Sequence, residues 1–102
     1  MTHIHVGYAF DALTELDDLA SFLLEQRDPS ALSLFDFVEA GLQVLAHQPG
    51  IGRPVGDGLR ELILFRGKSG YLVKYRYLPD LATVRVLRIR HQRESGYSDR
   101  EL

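Results

Sequence analysis

Several side chains that can take part in acid–base or phosphoryl chemistry lie close together near the C-terminus. In the segment 91–97 they are His91, Arg93, Glu94 and Tyr97. A histidine can act as a general base near neutral pH, an arginine can stabilise phosphoryl charge, and a tyrosine can orient or donate a proton. The set could support RNA cleavage through a 2′-hydroxyl. The favoured alternative is a strand end with only local hydrogen bonds, because no second base is identifiable.

A second group of candidate residues is cationic. Polarity alternates along Tyr71–Leu78 and Thr83–His91, as it does in strands with one buried face. The alternation is expected to place four cations on the sheet face that carries no helix: Lys74, Arg76, Arg88 and Arg90. Only Glu61 and Asp80 lie near the central strands, which is too few to neutralise the cluster. The cluster therefore predicts a face that binds nucleic acid or an acidic protein target.

Two other patterns predict little chemistry. His3 and His5 share one side of a strand, but no third ligand is evident, so no metal site is expected. Gly67-Lys68-Ser69 lacks the earlier glycine of a phosphate-binding loop and is better explained as a hairpin turn. We therefore expect neither a metal nor a cofactor.

The chain of 102 residues is expected to form a single domain, 1–102, and its near-neutral charge conceals an asymmetry. Residues 1–52 hold 8 acidic and 1 basic residue, a net charge of −7. Residues 53–102 hold 6 acidic and 11 basic residues, a net charge of +5. Such a split is typical of proteins that bind a polyanion or a partner matched to one face.

The composition also predicts where in the cell the protein is located. The absence of cysteine excludes disulfides, thiolate metal sites and a thiol nucleophile. No apolar run approaches the roughly 18 residues that span a bilayer, and the N-terminus lacks a basic region followed by an apolar stretch. We expect a cytoplasmic protein that does not act at a membrane.

The N-terminal half predicts a strand followed by two helices. Thr2–Ala9 alternates with a period of two, and helical spacing begins near Asp11, which is the predicted N-cap. Asp28-Pro29 predicts the start of the second helix. Gly41 lies within that helix, where it is expected to let the two helices approach closely. The predicted buried stripe comprises Ala31, Leu34, Phe35, Val38, Leu42 and Leu45.

The C-terminal half predicts a loop at Gly50–Gly58 and then three strands. The strands are Leu59–Phe65, Tyr71–Leu78 and Thr83–His91, separated by segments of hairpin length. The order β-α-α-β-β-β predicts an α+β domain with a helical hairpin on one face of a four-stranded, mainly antiparallel sheet. Alternation favours four residues beneath the helices: Val73, Tyr75, Leu87 and Ile89.

Four segments together resemble the RelE/ParE toxin superfamily, closest to its ParE-like branch. They are Gly52-Arg53-Pro54-Val55, Gly58-Leu59-Arg60-Glu61-Leu62, Gly70-Tyr71-Leu72-Val73-Lys74-Tyr75-Arg76-Tyr77 and the stretch from Val86 to Tyr97. The resemblance covers nearly the whole chain. It implies the same β-α-α-β-β-β fold in the toxin of a type II toxin–antitoxin pair, a growth inhibitor linked to plasmid stabilisation. It also implies a cognate antitoxin that neutralises the toxin within a hetero-oligomer.

The resemblance also bears on the target. RelE-like members cleave mRNA on the ribosome with basic residues and a tyrosine, and Arg93 and Tyr97 match the late members of that set. Ile63 and Phe65 stand where paired lysines are expected, and Leu72 where an arginine is expected. Losing those cations removes charge stabilisation that the cleavage needs. ParE-like members resemble non-enzymatic inhibitors of DNA gyrase, so this mode of action is favoured.

The sequence is compatible with three functional hypotheses. The first is a gyrase inhibitor without its own catalysis, and the second is a ribosome-dependent endoribonuclease using His91, Arg93 and Tyr97. The third is a degenerate toxin that acts only within an antitoxin-bound repressor complex. The antitoxin is expected to lie over the helical hairpin and along the sheet, where its basic residues would pair with Asp17, Asp18 and Glu25. A solvated acidic helix face is an equally good explanation of those three carboxylates.

Overall fold

A computed structural model describes residues 3–92, in which two helices pack on one face of a single sheet. The strands are β1 His5–Tyr8, β2 Arg53–Gly56, β3 Leu59–Arg66, β4 Ser69–Leu78 and β5 Thr83–His91. The α-helices are α1 Phe10–Glu25 and α2 Leu34–Leu42, with short 3₁₀ segments at Pro29–Ser33, Gln43–Ala46 and Pro79–Leu81. The predicted α+β fold, with a helical pair on one face of the sheet, is confirmed. No helix among the described residues is long and apolar enough to cross a membrane.

The sheet has five strands in the order β1-β5-β4-β3-β2, so the prediction of four strands is wrong. β1 runs parallel to β5, and the other neighbours are antiparallel. The additional strand, β2, lies in the segment predicted to be a loop and pairs Arg53 with Glu61 and Pro54 with Arg60. Because β2 is at the sheet edge, Pro54 can lack an N–H without breaking a ladder.

Both helices begin differently from the prediction. α1 begins at Phe10 after Ala9, which makes no side-chain capping bond, so Asp11 lies in the first turn and is not the N-cap. Its negative charge there still favours the helix dipole. Asp28 is a cap, because its carboxylate accepts a hydrogen bond from Ser30 N at 2.9 Å. That cap begins the 3₁₀ segment, and α2 follows only from Leu34.

The core lies between the helices and the sheet. Its fully buried side chains include Leu16, Leu34, Val38, Leu42, Leu45, Val73, Tyr75, Val84, Val86 and Ile89. Phe35, predicted within the buried stripe, is 48% exposed. Gly41 does allow a close approach, but to the sheet and not to α1. A Cβ at this position would lie 2.9 Å from Leu64 Cδ2 on β3.

A β-bulge in β5 reverses part of the predicted face assignment. Tyr75 lies opposite Val86 and Lys74 opposite Arg88, which leaves Leu87 as the extra residue. Val84 and Val86 are therefore buried beneath the helices together with Ile89. Leu87, predicted in the core, is only partly buried. Alternation alone fails here because the bulge shifts the period by one residue.

Candidate functional site

The sheet face that carries no helices, hereafter the open face, has an apolar end and a cationic end. At the apolar end Ile63 and Phe65 are exposed on β3, whereas Leu72, opposite Ile63 on β4, is buried and has Arg90 on its other side. At the cationic end Arg76 lies directly opposite Arg85. Lys74 and Arg88 form the neighbouring pair. The open face thus combines apolar and positively charged surface.

Two of the predicted cations are paired with a carboxylate from α1. The Arg88 guanidinium donates to Glu15 Oε2 from Nε at 2.9 Å and from Nη2 at 2.6 Å. Arg90 Nε approaches the same oxygen at 3.5 Å. Glu15 Oε1 also accepts the backbone N–H of Ile89 at 2.8 Å. β1 pairs with β5 only as far as Val86, so Glu15 covers the strand edge that β1 leaves open.

The surroundings of Glu15 favour its ionised form. Partial burial alone would raise its pKa, but hydrogen bonds from Arg88 and Ile89 and the charges of Arg88 and Arg90 lower the pKa overall. The same contacts raise the pKa of Arg88. Beside this carboxylate a groove of about 340 Å³ is lined by Glu15, Asp18, Ile89 and Arg90. The groove and its ion pairs join α1 to the end of β5.

The other predicted cations are less compensated. Arg76 donates from Nη1 to the carbonyl oxygen of Asp57 at 3.0 Å, a contact with a neutral group. Lys74 lies beside Glu61 in the register, although Glu61 forms its ion pair with Arg53 at 2.8 Å. The structure therefore brings together Lys74, Arg76 and Arg88 as the sequence predicted, but it gives Arg88 and Arg90 an acidic partner.

The Gly-Arg-Pro-Val segment is attached to the sheet by hydrogen bonds. Buried Tyr75 donates its hydroxyl proton to Pro49 O at 2.7 Å and accepts the Gly52 N–H at 2.9 Å. Arg60 donates to Gly52 O at 2.8 Å. A Cβ at Gly52 would lie 2.7 Å from the Tyr75 hydroxyl, so only glycine fits without displacement. These contacts explain the motif by loop attachment and involve no reacting group.

His91, the described member of the predicted catalytic set, packs against an aromatic side chain. Its ring centroid lies 5.3 Å from that of Tyr71 in an edge-to-face arrangement. Tyr71 in turn contacts Phe37, over which the guanidinium of Arg66 lies at 5.0 Å. Arg93 and Tyr97 lie outside the described residues. Among residues 3–92, no group of three potential metal-binding side chains occurs.

The acidic residues predicted to bind a partner all lie exposed on α1. They are Asp17, Asp18 and Glu25. Asp17 shares its helix face with Leu13 and Leu24, which are 44% and 56% exposed, whereas Asp18 lies on the groove beside Glu15. The outer surface of α1 therefore presents apolar side chains beside carboxylates, a combination suited to a basic amphipathic partner.

The fold defines a class of protein. It is similar to the chromosomal ParDE toxin–antitoxin system from P. aeruginosa, with a TM-score of 0.72, 22% identity and coverage of 86% of this chain and 95% of that one. It is also similar to the isolated E. coli RelE toxin, with a TM-score of 0.59, 19% identity and coverage of 97% and 99%. At these identities the likeness shows a RelE/ParE-type toxin fold.

Sequence comparison then shows the family. Residues 7–96 match the family described as the ParE toxin of the type II toxin-antitoxin system, parDE. Toxin RelE3 from Caulobacter vibrioides is 32% identical over 81% of this chain and 88% of its own length. Toxin RelE1 from the same organism is 41% identical over 67% of this chain and 72% of its own length. The chain belongs to the ParE toxin family, and is a type II toxin of the RelE/ParE superfamily.

Sequence reasoning missed two residues of this site. Arg85 reaches the open face only because of the bulge at Leu87, and no residue pattern marks that bulge. Glu15 is 73 positions from Arg88, and its contact depends on α1 crossing the open edge of β5. The sequence shows that Glu15 is negatively charged, but it does not indicate that Arg88 is its partner.

Proposed function

We propose that this toxin inhibits DNA gyrase by binding it, without catalysis of its own, and that a cognate antitoxin neutralises it by direct binding. One observation carries the proposal. Ile63 and Phe65, which are 38% and 66% exposed, and the buried Leu72 opposite Ile63 form the apolar end of the open face. These are the positions at which the resemblance to RNA-cleaving members requires cations. An apolar surface cannot stabilise phosphoryl charge, but it suits contact with a protein.

A supercoiling assay with purified toxin and gyrase tests the proposal. We expect inhibition of supercoiling or accumulation of trapped cleavage complexes as the toxin concentration rises. Activity of gyrase unchanged at a large excess of folded toxin would refute this target. An unrelated topoisomerase assayed in parallel controls for nonspecific effects of the protein on DNA.

The second candidate function is ribosome-dependent mRNA cleavage. It is favoured by the match of Arg93 and Tyr97 to the late residues of RNA-cleaving members, with His91 as a third candidate. The test is primer extension on mRNA from cells that express the toxin. Cuts within translated codons, abolished by Arg93→Ala, would support cleavage over gyrase inhibition. Normal growth on expression without antitoxin would instead support the degenerate, repressor-only alternative.

The antitoxin surface belongs to the same proposal. The exposed apolar residues and carboxylates of α1 match a basic amphipathic segment. We expect that Asp17→Lys with Asp18→Lys weakens antitoxin binding about tenfold, because two favourable charge contacts become repulsive. Calorimetric titration with the cognate antitoxin measures the effect. Asp80→Lys, an exposed change in the 3₁₀ segment Pro79–Leu81 and outside α1, is the control, and equal affinity for all forms would contradict this surface.

A further inference from the structure

The cross-strand pair Arg76–Arg85 is the least compensated charge on the open face. The two residues lie directly opposite each other on β4 and β5. Like charges in this position destabilise a sheet. The Arg85 side chain is exposed and makes no hydrogen bond or ion pair within residues 3–92, and the Arg76 guanidinium donates to the backbone carbonyl of Asp57. The pair therefore carries two positive charges without a carboxylate partner in the described chain.

The strands on either side supply no countercharge either. In the same row across the sheet, Gly7 of β1 lies beside Arg85, and Leu59 of β3 lies beside Arg76. A Cβ at Gly7 would lie 3.0 Å from His5 Nε2, so the imidazole lies over the space next to Arg85. The row thus consists of a glycine, two arginines and a leucine, with a histidine at its margin.

Several other arginines of this protein have partners within the described residues. Arg88 and Arg90 share Glu15, and Arg53 pairs with Glu61. Arg66 donates to Ser30 O at 3.0 Å and lies over Phe37. Neighbouring arginines thus have acidic or aromatic partners, whereas the exposed Arg85 and the partly buried Arg76 lie side by side at a cost in stability. This difference indicates a site completed by an external anion.

We propose that Arg76 and Arg85 form a seat for carboxylates of an acidic segment of the protein target. This inference rests on the proposed function, since it names the chemistry by which the toxin would recognise that target. The apolar end of the same face favours a protein over nucleic acid, because the exposed side chains of Ile63 and Phe65 offer nothing to a phosphate backbone. Two adjacent guanidiniums can each bind a carboxylate with two hydrogen bonds. The predicted segment is acidic, with apolar side chains that reach the apolar end.

The first experiment compares gyrase inhibition by wild-type toxin with that by Arg76→Gln and Arg85→Gln. Lys68→Gln is the control, since Lys68 is an exposed cation in the hairpin between β3 and β4. Each arginine variant should need about tenfold more toxin for half-inhibition, because a charge-assisted hydrogen bond is lost. The control should match the wild type. Equal inhibition by all four proteins would overturn the seat.

Thermal unfolding of the same proteins separates recognition from folding. Arg85→Gln removes one member of a like-charge pair and breaks no side-chain bond within residues 3–92, so it should leave the Tm unchanged or raise it. Loss of inhibition together with an unchanged or higher Tm supports the seat. If inhibition and Tm fall in parallel, the arginines have a structural role. Arg85→Lys keeps the charge and should recover part of the inhibition.

A second experiment decides the seat if the wild type does not inhibit gyrase, a result that defeats the proposed target alone. The probe is a labelled peptide of alternating glutamate and valine, followed by fluorescence anisotropy. We expect salt-sensitive binding that weakens with Arg76→Gln or Arg85→Gln and is absent when glutamine replaces glutamate. No binding to the wild type, or tighter binding of a short single-stranded RNA through the same arginines, would overturn the inference.

Discussion

The hydroxyl of Tyr75 shows how a single buried polar atom fixes a loop of this toxin. It bonds both Pro49 and Gly52, so the chain before β2 is attached to the middle of the sheet. The alternation of β4 predicts that Tyr75 is buried, and this is confirmed. The partners of the hydroxyl could not be predicted, because they lie 23 and 26 positions away and their approach depends on β2.

Replacing Gly52 with alanine should destabilise the toxin by about 1–3 kcal/mol, the usual cost of overpacking a tight site. The added methyl group would lie 2.7 Å from the Tyr75 hydroxyl and 2.9 Å from Glu61 O, which is backbone and cannot easily move. Urea unfolding measures the change in the free energy of unfolding. Gly50→Ala is the matched control, since its nearest neighbour would be 3.9 Å away. Equal losses for both variants would contradict the steric explanation.

Among the elements, β2 and the bulge in β5 were the hardest to predict. β2 has four residues, including Pro54 and Gly56, and such a composition indicates a loop. Only its pairing with β3 makes it a strand. The longer elements were predicted within a few residues because their apolar periods run over several turns or alternations. Local patterns therefore define α1, α2 and β3–β5, whereas long-range pairing defines β2 and the bulge.

The contact between α1 and β5 should make stability depend on pH. The pKa of Glu15 is lowered in the folded state, so its ionised form stabilises folding above the ordinary carboxyl pKa of about 4.5. That contribution is lost as the pH falls below this value and Glu15 takes up a proton. At neutral pH, Glu15→Gln should cost about 1–2 kcal/mol, because Arg88 loses a charged hydrogen-bond acceptor at a partly exposed site.

Urea unfolding between neutral pH and the acid range measures this prediction. The wild type should lose more free energy of unfolding on acidification than Glu15→Gln, so the two curves should converge at low pH. Asp18→Asn is the control, because Asp18 lies on the same groove but forms no ion pair within residues 3–92. Parallel curves for the wild type and Glu15→Gln would show that the carboxylate does not couple α1 to β5.

At the scale of the whole molecule, the charge asymmetry of the sequence becomes a division between surfaces. The outer surface of α1 carries exposed carboxylates, and the open face carries Lys74, Arg76, Arg85 and Arg88. Glu15 and its arginine partners join the two surfaces at the edge of β5. The net charge of −2 conceals this division because it sums two opposite surfaces. The surface of α1 is therefore suited to a basic partner, and the open face to an acidic one.

The outer edge of β3 should make the isolated toxin prone to self-association. β2 pairs with β3 only as far as Glu61, so within residues 3–92 no strand neighbours Leu62–Arg66 on that side. Phe65, on this edge, is 66% exposed. An unpaired edge with exposed apolar side chains can template pairing with another chain, and a lysine on the edge discourages it. Phe65→Lys should therefore slow aggregation on warming.

Light scattering during a temperature ramp measures this effect, and urea unfolding should show a change in stability within about 0.5 kcal/mol, as expected at an exposed site. Leu81→Lys is the matched control, because Leu81 is 69% exposed but lies in the 3₁₀ segment Pro79–Leu81, away from the β3 edge. If both lysines slow aggregation equally, added charge explains the effect. A selective effect of Phe65→Lys identifies the β3 edge as the route to self-association, because the two variants change net charge and exposed apolar surface alike.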